Sequence, residues 1–326
     1  MNWAAALPCL PCSRCTSTAN STQLREEPGV AARRSVELAQ RKCLRWVAHG
    51  LVRCHSRGVG KAGSDGESVE PQLPYGRRWG PIPLCKARLA DQERALGIDH
   101  PDTLASRNDL AGAYRSAGRL VEAIVLFEQT LADRARVLGD DHPDTLTSRH
   151  ELAGTYQATR RLAEAILLYK QTLADRARVL GDDHPDTLTS RHELAGACRL
   201  VGRLAEAILL YENTLADRAR VLGDDHPDTF ISRNNLAGAY WLMGQLDKAI
   251  PLFEATLAYR ERAFGEDHLD TLTSRNNLAG AYRAAGQTNK AIVLYEAALT
   301  GCERVLGGKH PTTHAVRENF RLARDD

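Results

Sequence analysis

Three cysteines near the start of the chain have a spacing that is typical of metal ligands. Cys9, Cys12 and Cys15 are separated from one another by two residues. A structural zinc site needs four ligands, usually arranged as two close pairs. No fourth ligand lies at a matching spacing, so we favour free thiols over a metal site at this segment.

A glycine-rich stretch matches a phosphate-binding loop only in part. Gly60 and Lys61 fit the Gly-Lys of G-x-x-x-x-G-K-[ST]. His55 stands where the first glycine belongs, and Ala62 replaces the hydroxyl that binds Mg²⁺. Because the backbone cradle and the metal ligand are both missing, we expect no nucleotide to bind here.

Histidines beside carboxylates recur through the rest of the chain and could suggest a metal site. An Asp beside a helix start is explained by capping and by the helix dipole, so we expect no metal. The His-Glu pairs at His150 and His192 lack the second His of the H-E-x-x-H metalloprotease motif. Since no other catalytic set is present, we predict a protein that is not an enzyme and has no cofactor.

These histidines belong to a repeat of 42 residues. Residues 139–180 differ from residues 181–222 at only eight positions. The histidines in one register are His100, His142, His184, His226, His268 and His310. A fixed period of this length is typical of stacked repeats. It predicts full units at 100–141, 142–183, 184–225, 226–267 and 268–309, after a half unit at 82–99 and before a capping helix at 310–326.

Each unit is predicted to be a helical hairpin. In the first unit, Pro101 suits the first position of a helix and Asp102 its first turn. Gly118 separates a helix of about 16 residues from an amphipathic one of about 19, and Gly139 ends the second. One hairpin cannot bury its apolar faces alone. We therefore expect an all-α fold, a right-handed α-solenoid of stacked hairpins over residues 82–326.

The pattern resembles the tetratricopeptide repeat. The matching positions are Leu110, Ala111, Tyr114, Gly118, Leu120, Ala123 and Phe127. The 42-residue length and the blocks HPDTLxSRNNLAGAY and EAIxLYExTLAxRxRVLG are similar to the kinesin-light-chain type, which also occurs in bacterial signalling proteins behind an NB-ARC-type ATPase. Where this family has a large apolar residue, the chain has arginines whose stems should pack while their guanidinium groups reach carboxylates. These are Arg107, Arg149, Arg191, Arg233 and Arg275.

The resemblance implies a concave groove, lined by the first helices, that binds a peptide or a partner domain. Asn in related repeats hydrogen-bonds the backbone of an extended peptide. A glycine ladder would let that chain approach closely, and it consists of Gly112, Gly154, Gly196, Gly238 and Gly280. The first predicted ladder is Asn108, His150, His192, Asn234 and Asn276. The most variable ladder is Arg115, Gln157, Arg199, Trp241 and Arg283. The alternative is that Asn and Gly only ease the packing of hairpins.

Residues 1–81 lack the period and carry 12 Lys and Arg against 6 Asp and Glu. A basic helix over 30–55 could lie on an anionic membrane or on nucleic acid, but one short helix is weak evidence, so we favour a low-order tail. No apolar run approaches the ~20 residues that span a bilayer. The start also lacks the pattern of a signal peptide. We therefore expect a cytoplasmic protein with no membrane and no nucleic-acid partner.

Our first hypothesis is a protein-interaction module that acts as a scaffold or as the sensor arm of a signalling ATPase. Residues 82–96 align with a second helix, but residues 60–76 are too rich in Gly and Pro to be its first helix. The alternative is thus a truncated or decayed array, separated from an NB-ARC-type ATPase or another effector and without independent activity. A further alternative places a metal or nucleic-acid activity in residues 1–81. The sequence yields no prediction of oligomeric state.

Overall fold

The computed structural model describes residues 81–325, which contain twelve α-helices and no strand. The helices α1–α12 are, in order, Ile82–Leu96, Pro101–Ser116, Leu120–Leu138, Pro143–Ala158, Leu162–Leu180, Pro185–Leu200, Leu204–Leu222, Pro227–Leu242, Leu246–Phe264, Leu269–Ala284, Thr288–Leu306 and Pro311–Asp325. The predicted all-α solenoid of hairpins is confirmed. Every full unit pairs a helix of 16 residues with one of 19. The cysteine triplet, the Gly58–Ala62 stretch and the basic helix over 30–55 lie outside the described residues.

A histidine starts each first helix. His142 is the N-cap of α4, and its Nδ1 accepts a hydrogen bond from the backbone N–H of Asp144 at 3.1 Å. Pro143 follows at the first helical position, where a missing N–H leaves nothing unpaired. The same cap recurs at His100, His184, His226, His268 and His310. The histidines that could suggest metal binding therefore satisfy helix ends, a role that the sequence analysis did not assign to them.

Glycines end both helices of a unit, in two different conformations. Gly118 follows α2 at φ +77°, the left-handed cap that the sequence predicts. Gly139 follows α3 at φ +95° and ψ +160°, a region that is essentially restricted to glycine. Arg160 stands at the equivalent of Gly118 in the next unit and adopts φ +65°. The turn is therefore fixed well enough by its surroundings to hold a side chain in a strained conformation.

The helices pack in chain order, each against the one before and the one after it. First helices of most successive units also touch one another, which places them on the inner side of the stack. One leucine in most first helices is fully buried and repeats through the core; these are Leu104, Leu146, Leu188 and Leu272. Among helices α1–α12, none combines the length and the apolar character that crossing a bilayer requires.

An arginine of the second helix is buried where it meets the next unit in four of the five full units, and Cys302 takes its place in the last. Arg218 of α7 exposes 1% of its surface. Its Nη1 donates to the carbonyl oxygen of Asp228 at 3.2 Å and to Oγ of Ser232 at 2.9 Å. Arg134, Arg176 and Arg260 make the same two contacts at their own junctions. These bonds pair the buried guanidinium, as a buried charge requires.

The arginines of the first helices behave as predicted. Arg149 exposes 13% of its side chain, and its Nη1 lies 2.5 Å from Oδ2 of Asp175. The equivalent pairs are Arg107–Asp133 and Arg191–Asp217, whereas Arg233 and Arg275 reach carboxylates at other repeat positions, Asp224 and Glu261. The expectation that the stems pack and the guanidinium groups reach carboxylates is confirmed.

Candidate binding groove

The first ladder of the predicted groove lies largely inside the stack. Four of its five side chains belong to residues that expose only 2–6% of their surface, namely Asn108, His192, Asn234 and Asn276. His150 as a whole residue is partly exposed, but its imidazole ring packs against Tyr169 and Ser190. Oγ of Ser148 donates to Oδ1 of Asn108 at 2.9 Å, a bond that joins two first helices. Likewise, Nδ2 of Asn319 donates to Oδ1 of Asn276 at 3.1 Å. Most of this ladder therefore connects units to one another.

The two histidines of the ladder serve the same packing. Nδ1 of His150 lies 3.4 Å from Oγ of Ser190, and Nδ1 of His192 lies 3.3 Å from Oγ of Ser232. Burial lowers the pKa of His150 to about 3, and the nearby guanidinium groups of Arg176 and Arg115 lower it further. The imidazole of His150 is therefore neutral at physiological pH, and it forms a hydrogen bond with Ser190 in which neither group is charged.

Asn234 differs from the other asparagines of the ladder. Its Oδ1 is buried and has no hydrogen-bond partner among the described residues, whereas Oδ1 of Asn108 and of Asn276 each accept a bond. Leaving such an acceptor unpaired costs about 1–3 kcal/mol. This ladder position is thus the one where an incoming donor would gain most.

Side chains already occupy the space beside part of the glycine ladder. A Cβ atom built on Gly154 would lie 3.3 Å from Nη1 of Arg115, and one on Gly280 would lie 3.0 Å from Cη2 of Trp241. A Cβ atom on Gly238, by contrast, would have no heavy atom within 4 Å. The expectation of a continuous trough is therefore wrong for Gly154 and Gly280, where side chains of the preceding unit already occupy the space.

The open position at Gly238 has a cause in the second helix of its unit. Tyrosine hydroxyls stand 3.3–3.4 Å from the Cβ positions of Gly154, Gly196 and Gly280. These hydroxyls belong to Tyr169, Tyr211 and Tyr295. Unit 226–267 has Phe253 at the equivalent place, so no hydroxyl reaches Gly238. The change from Tyr to Phe at position 253 is visible in the sequence. Its effect can be interpreted only when the contact between this position and Gly238 is known.

The variable ladder differs in how its polar groups are satisfied. Nη2 of Arg115 pairs with Oε2 of Glu151 at 2.5 Å, whereas the residue equivalent to Glu151 beyond Arg199 is Asn235. Nδ2 of Asn235 is already 2.8 Å from Nε2 of His192. Nε of Arg199 and Oε1 of Gln157 are buried and without partners among the described residues. Arg199 therefore lacks the carboxylate that Arg115 has.

The remaining members of the variable ladder are packed differently. Trp241 exposes 8% of its surface and meets the ring of Phe253 edge to face, with centroids 6.3 Å apart. Arg283 is partly exposed. Three successive first helices thus each carry one residue with an unpartnered polar atom, namely Gln157, Arg199 and Asn234, while Trp241 acts mainly in packing.

Solved structures support the architecture. A Podospora anserina chain assigned to the kinesin light chains, with nearly identical TPR-like repeats, is 38% identical over 63% of this chain and 97% of its own, with a TM-score of 0.56. BtubC (BKLC) from P. vanneervenii is 22% identical over 71% of this chain and 92% of its own, with a TM-score of 0.61. A Rap protein solved in complex with Competence and Sporulation Factor is 12% identical over 75% of this chain and 74% of its own, with a TM-score of 0.51.

A search of curated proteins found no match. The sequence profile of the tetratricopeptide repeat matches residues 102–178, 194–262 and 228–304, which together cover more than half of the chain. The periodic hairpins, their capped junctions and the first helices on the inner side agree with that match. The chain belongs to the tetratricopeptide repeat family, and its repeats are of the kinesin-light-chain type.

Proposed function

We propose that this chain is a non-enzymatic, cytoplasmic module whose groove binds an extended segment of a partner protein, as a scaffold or as the sensor arm of a signalling protein. The observation that carries the proposal is an open position at Gly238 in a run of three successive units whose first helices each hold an unpartnered polar atom. Oδ1 of Asn234, Nε of Arg199 and Oε1 of Gln157 have no partner among the described residues.

An extended polypeptide has the chemistry to satisfy these atoms. Its backbone offers one N–H donor and one carbonyl acceptor at each residue. Because these atoms are buried in the free chain, their side chains would turn toward the groove on binding, where a backbone N–H would serve Asn234 or Gln157 and a carbonyl oxygen would serve Nε of Arg199. Gly238 lets that backbone come close, because no side chain stands there. We therefore centre the contact on units 184–225 and 226–267 and assign weaker roles to Asn108, Asn276 and Trp241.

The related structures are consistent with this proposal. The Rap protein was solved with a bound factor, so a chain of this fold can hold one. At 12% identity that likeness concerns the fold alone, and the identity of the ligand is left to experiment.

The test is an affinity purification from a lysate of the source cells, with the full chain and two variants. Gly238→Gln fills the open position with a long side chain, and its Cβ meets no heavy atom within 4 Å. Val293→Gln is the matched control on the outer face of α11, where Val293 is 64% exposed. Circular dichroism should show equal helicity for all three proteins.

A partner held by the parent chain and by Val293→Gln, but lost by Gly238→Gln, would support binding in the groove. Its affinity for each protein would then be measured by calorimetry with the purified partner. A partner held equally by all three proteins would reject the groove as the site.

A further inference from the structure

Besides Trp241, unit 226–267 departs from the repeat at three positions by carrying aromatic residues. Phe230 and Phe264 replace leucines of the other full units, and Tyr259 replaces an aspartate that three of them share. The rings of Phe230 and Tyr259 stack with centroids 3.3 Å apart, and Tyr259 meets Phe264 edge to face at 6.2 Å. The ring of Phe264 also stacks on that of His268 at 4.8 Å. Phe264 is 47% exposed, so the aromatic group reaches the surface.

The same change interrupts a ladder of ion pairs along this edge of the solenoid. In the preceding unit, Arg220 bonds to Asp217 in its own helix at 3.0 Å and to Asp183 of the preceding turn at 2.8 Å. Arg136 and Arg178 make the equivalent pairs of contacts. In these three units an aspartate three residues earlier also contacts the arginine, whereas Arg304 of the last full unit has Gly301 there and still bonds to Asp267 of its turn.

Tyr259 removes that aspartate from the fourth unit. Arg262 has no carboxylate three residues earlier, and its Nη2 stands 4.0 Å from Oδ1 of Asp225. The Arg262 and Asp225 side chains are 75% and 86% exposed, so this contact is loose. Asp225 is therefore a carboxylate available to another cation, on the edge that carries the exposed ring of Phe264.

We propose that Asp225, Tyr259 and Phe264 form an aromatic–acidic patch that binds an arginine-containing basic segment of a partner protein. A guanidinium group pairs with a carboxylate through two parallel hydrogen bonds and stacks on an aromatic face. Both partners are present here on one edge. Arg262 would swing away at little cost, because it is mostly exposed and weakly held.

The charge around the patch favours the same partner. Asp224 is 80% exposed and lies beside Asp225, and Glu266 is exposed in the turn after Phe264. The cations nearby are Arg262, which is loosely held, and Arg233, which pairs with Asp224 at 3.1 Å and stacks on Phe230. A third cation, Arg304, is paired with Asp267 of the same turn. A basic segment therefore meets an edge that is acidic overall. This surface lies on a second helix and its turns, outside the groove.

The test uses a fluorescein-labelled peptide, Gly-Leu-Arg-Leu-Arg-Gly, and measures its fluorescence anisotropy with the full chain. Tyr259→Asp and Phe264→Leu each restore the residue that sister units carry, so both variants should fold. Tyr259→Asp should hold Arg262 against Asp225 and weaken binding about three- to tenfold. Phe264→Leu should weaken it by a similar factor through the loss of the ring. If net charge alone attracted the peptide, Tyr259→Asp would bind it more tightly than the parent chain, because that variant is more acidic.

Controls separate this patch from the groove. Val293→Ala, on the outer face, and Gly238→Gln, in the groove, should bind the peptide as the parent chain does. A peptide with Glu in place of Arg should not bind. The proposal is overturned if the arginine peptide shows no binding at millimolar chain concentration, if the Glu peptide binds equally, or if Tyr259→Asp binds as tightly as the parent.

Discussion

Two glycines at the same repeat position should respond in opposite ways to the same substitution. Gly238 lies within α8 and Gly280 within α10. Alanine is favoured over glycine inside a helix by about 1 kcal/mol. At Gly238 a Cβ atom has no heavy atom within 4 Å. Gly238→Ala should therefore gain about 1 kcal/mol in the free energy of unfolding.

At Gly280 the neighbouring unit opposes that gain. The Cβ atom would lie 3.0 Å from Cη2 and 3.3 Å from Cζ2 of Trp241, and 3.4 Å from the hydroxyl of Tyr295. Trp241 is 8% exposed and rests against Phe253, so its ring cannot withdraw freely. Overpacking of this kind costs about 1–3 kcal/mol. Gly280→Ala should thus be neutral or destabilising, and the two variants should differ by about 1–3 kcal/mol.

Urea unfolding followed by far-ultraviolet circular dichroism measures both values. Gly196→Ala is the matched intermediate, because its Cβ would meet only the hydroxyl of Tyr211 at an ordinary 3.4 Å. Repeat arrays can unfold unit by unit, so the slope of each transition must be compared along with its midpoint. If Gly280→Ala were stabilised as much as Gly238→Ala, the argument that Trp241 fills the groove beside Gly280 would be refuted.

Three other changes test single features of the structure. Gly223→Ala should cost about 1–3 kcal/mol in urea unfolding, because Gly223 adopts φ +95° and ψ +160°. Arg218→Met should cost about 1–3 kcal/mol by leaving Oγ of Ser232 without its donor, whereas Arg262→Met at an exposed site should stay within about 0.5 kcal/mol. The pKa of His150 is about 3 in the folded chain, below the ordinary value near 6.5, so only the unfolded chain gains this proton as the pH falls below 6.5. Stability should therefore drop by about 2 kcal/mol between pH 6.5 and 5, and His150→Asn, which carries the sister residue, should remove that drop in urea midpoints measured at both pH values.

Much of the fold was predictable because the signals are local. The His-Pro-Asp turn and the glycines fix where helices begin and end, and they depend on residues next to one another in the chain. The burial of Arg218 was not predictable in this way. The charge of Arg218 indicates a surface position. The residue is buried nonetheless, because a carbonyl and a hydroxyl of the next unit accept hydrogen bonds from its Nη1. Only the stacking of units brings those acceptors to it.

The groove was predictable in outline but not in detail. The register of the first helices places Asn108 and Asn234 at equivalent positions, and the structure keeps that equivalence. Their surroundings differ, however: Oδ1 of Asn108 accepts a bond from Ser148, and Oδ1 of Asn234 accepts none among the described residues. Such differences depend on side-chain conformations in two neighbouring helices. The residue types at equivalent repeat positions do not specify those conformations.

The uniform junctions have a consequence for the length of the solenoid. Arg176 meets the carbonyl of Asp186 and Oγ of Ser190, as Arg218 meets Asp228 and Ser232. A gene that lost or duplicated residues 181–222 would therefore rejoin units through the same arginine contacts and keep its core. The length of the array can then change in steps of one hairpin. The few atypical residues of a unit would be gained or lost together with that unit.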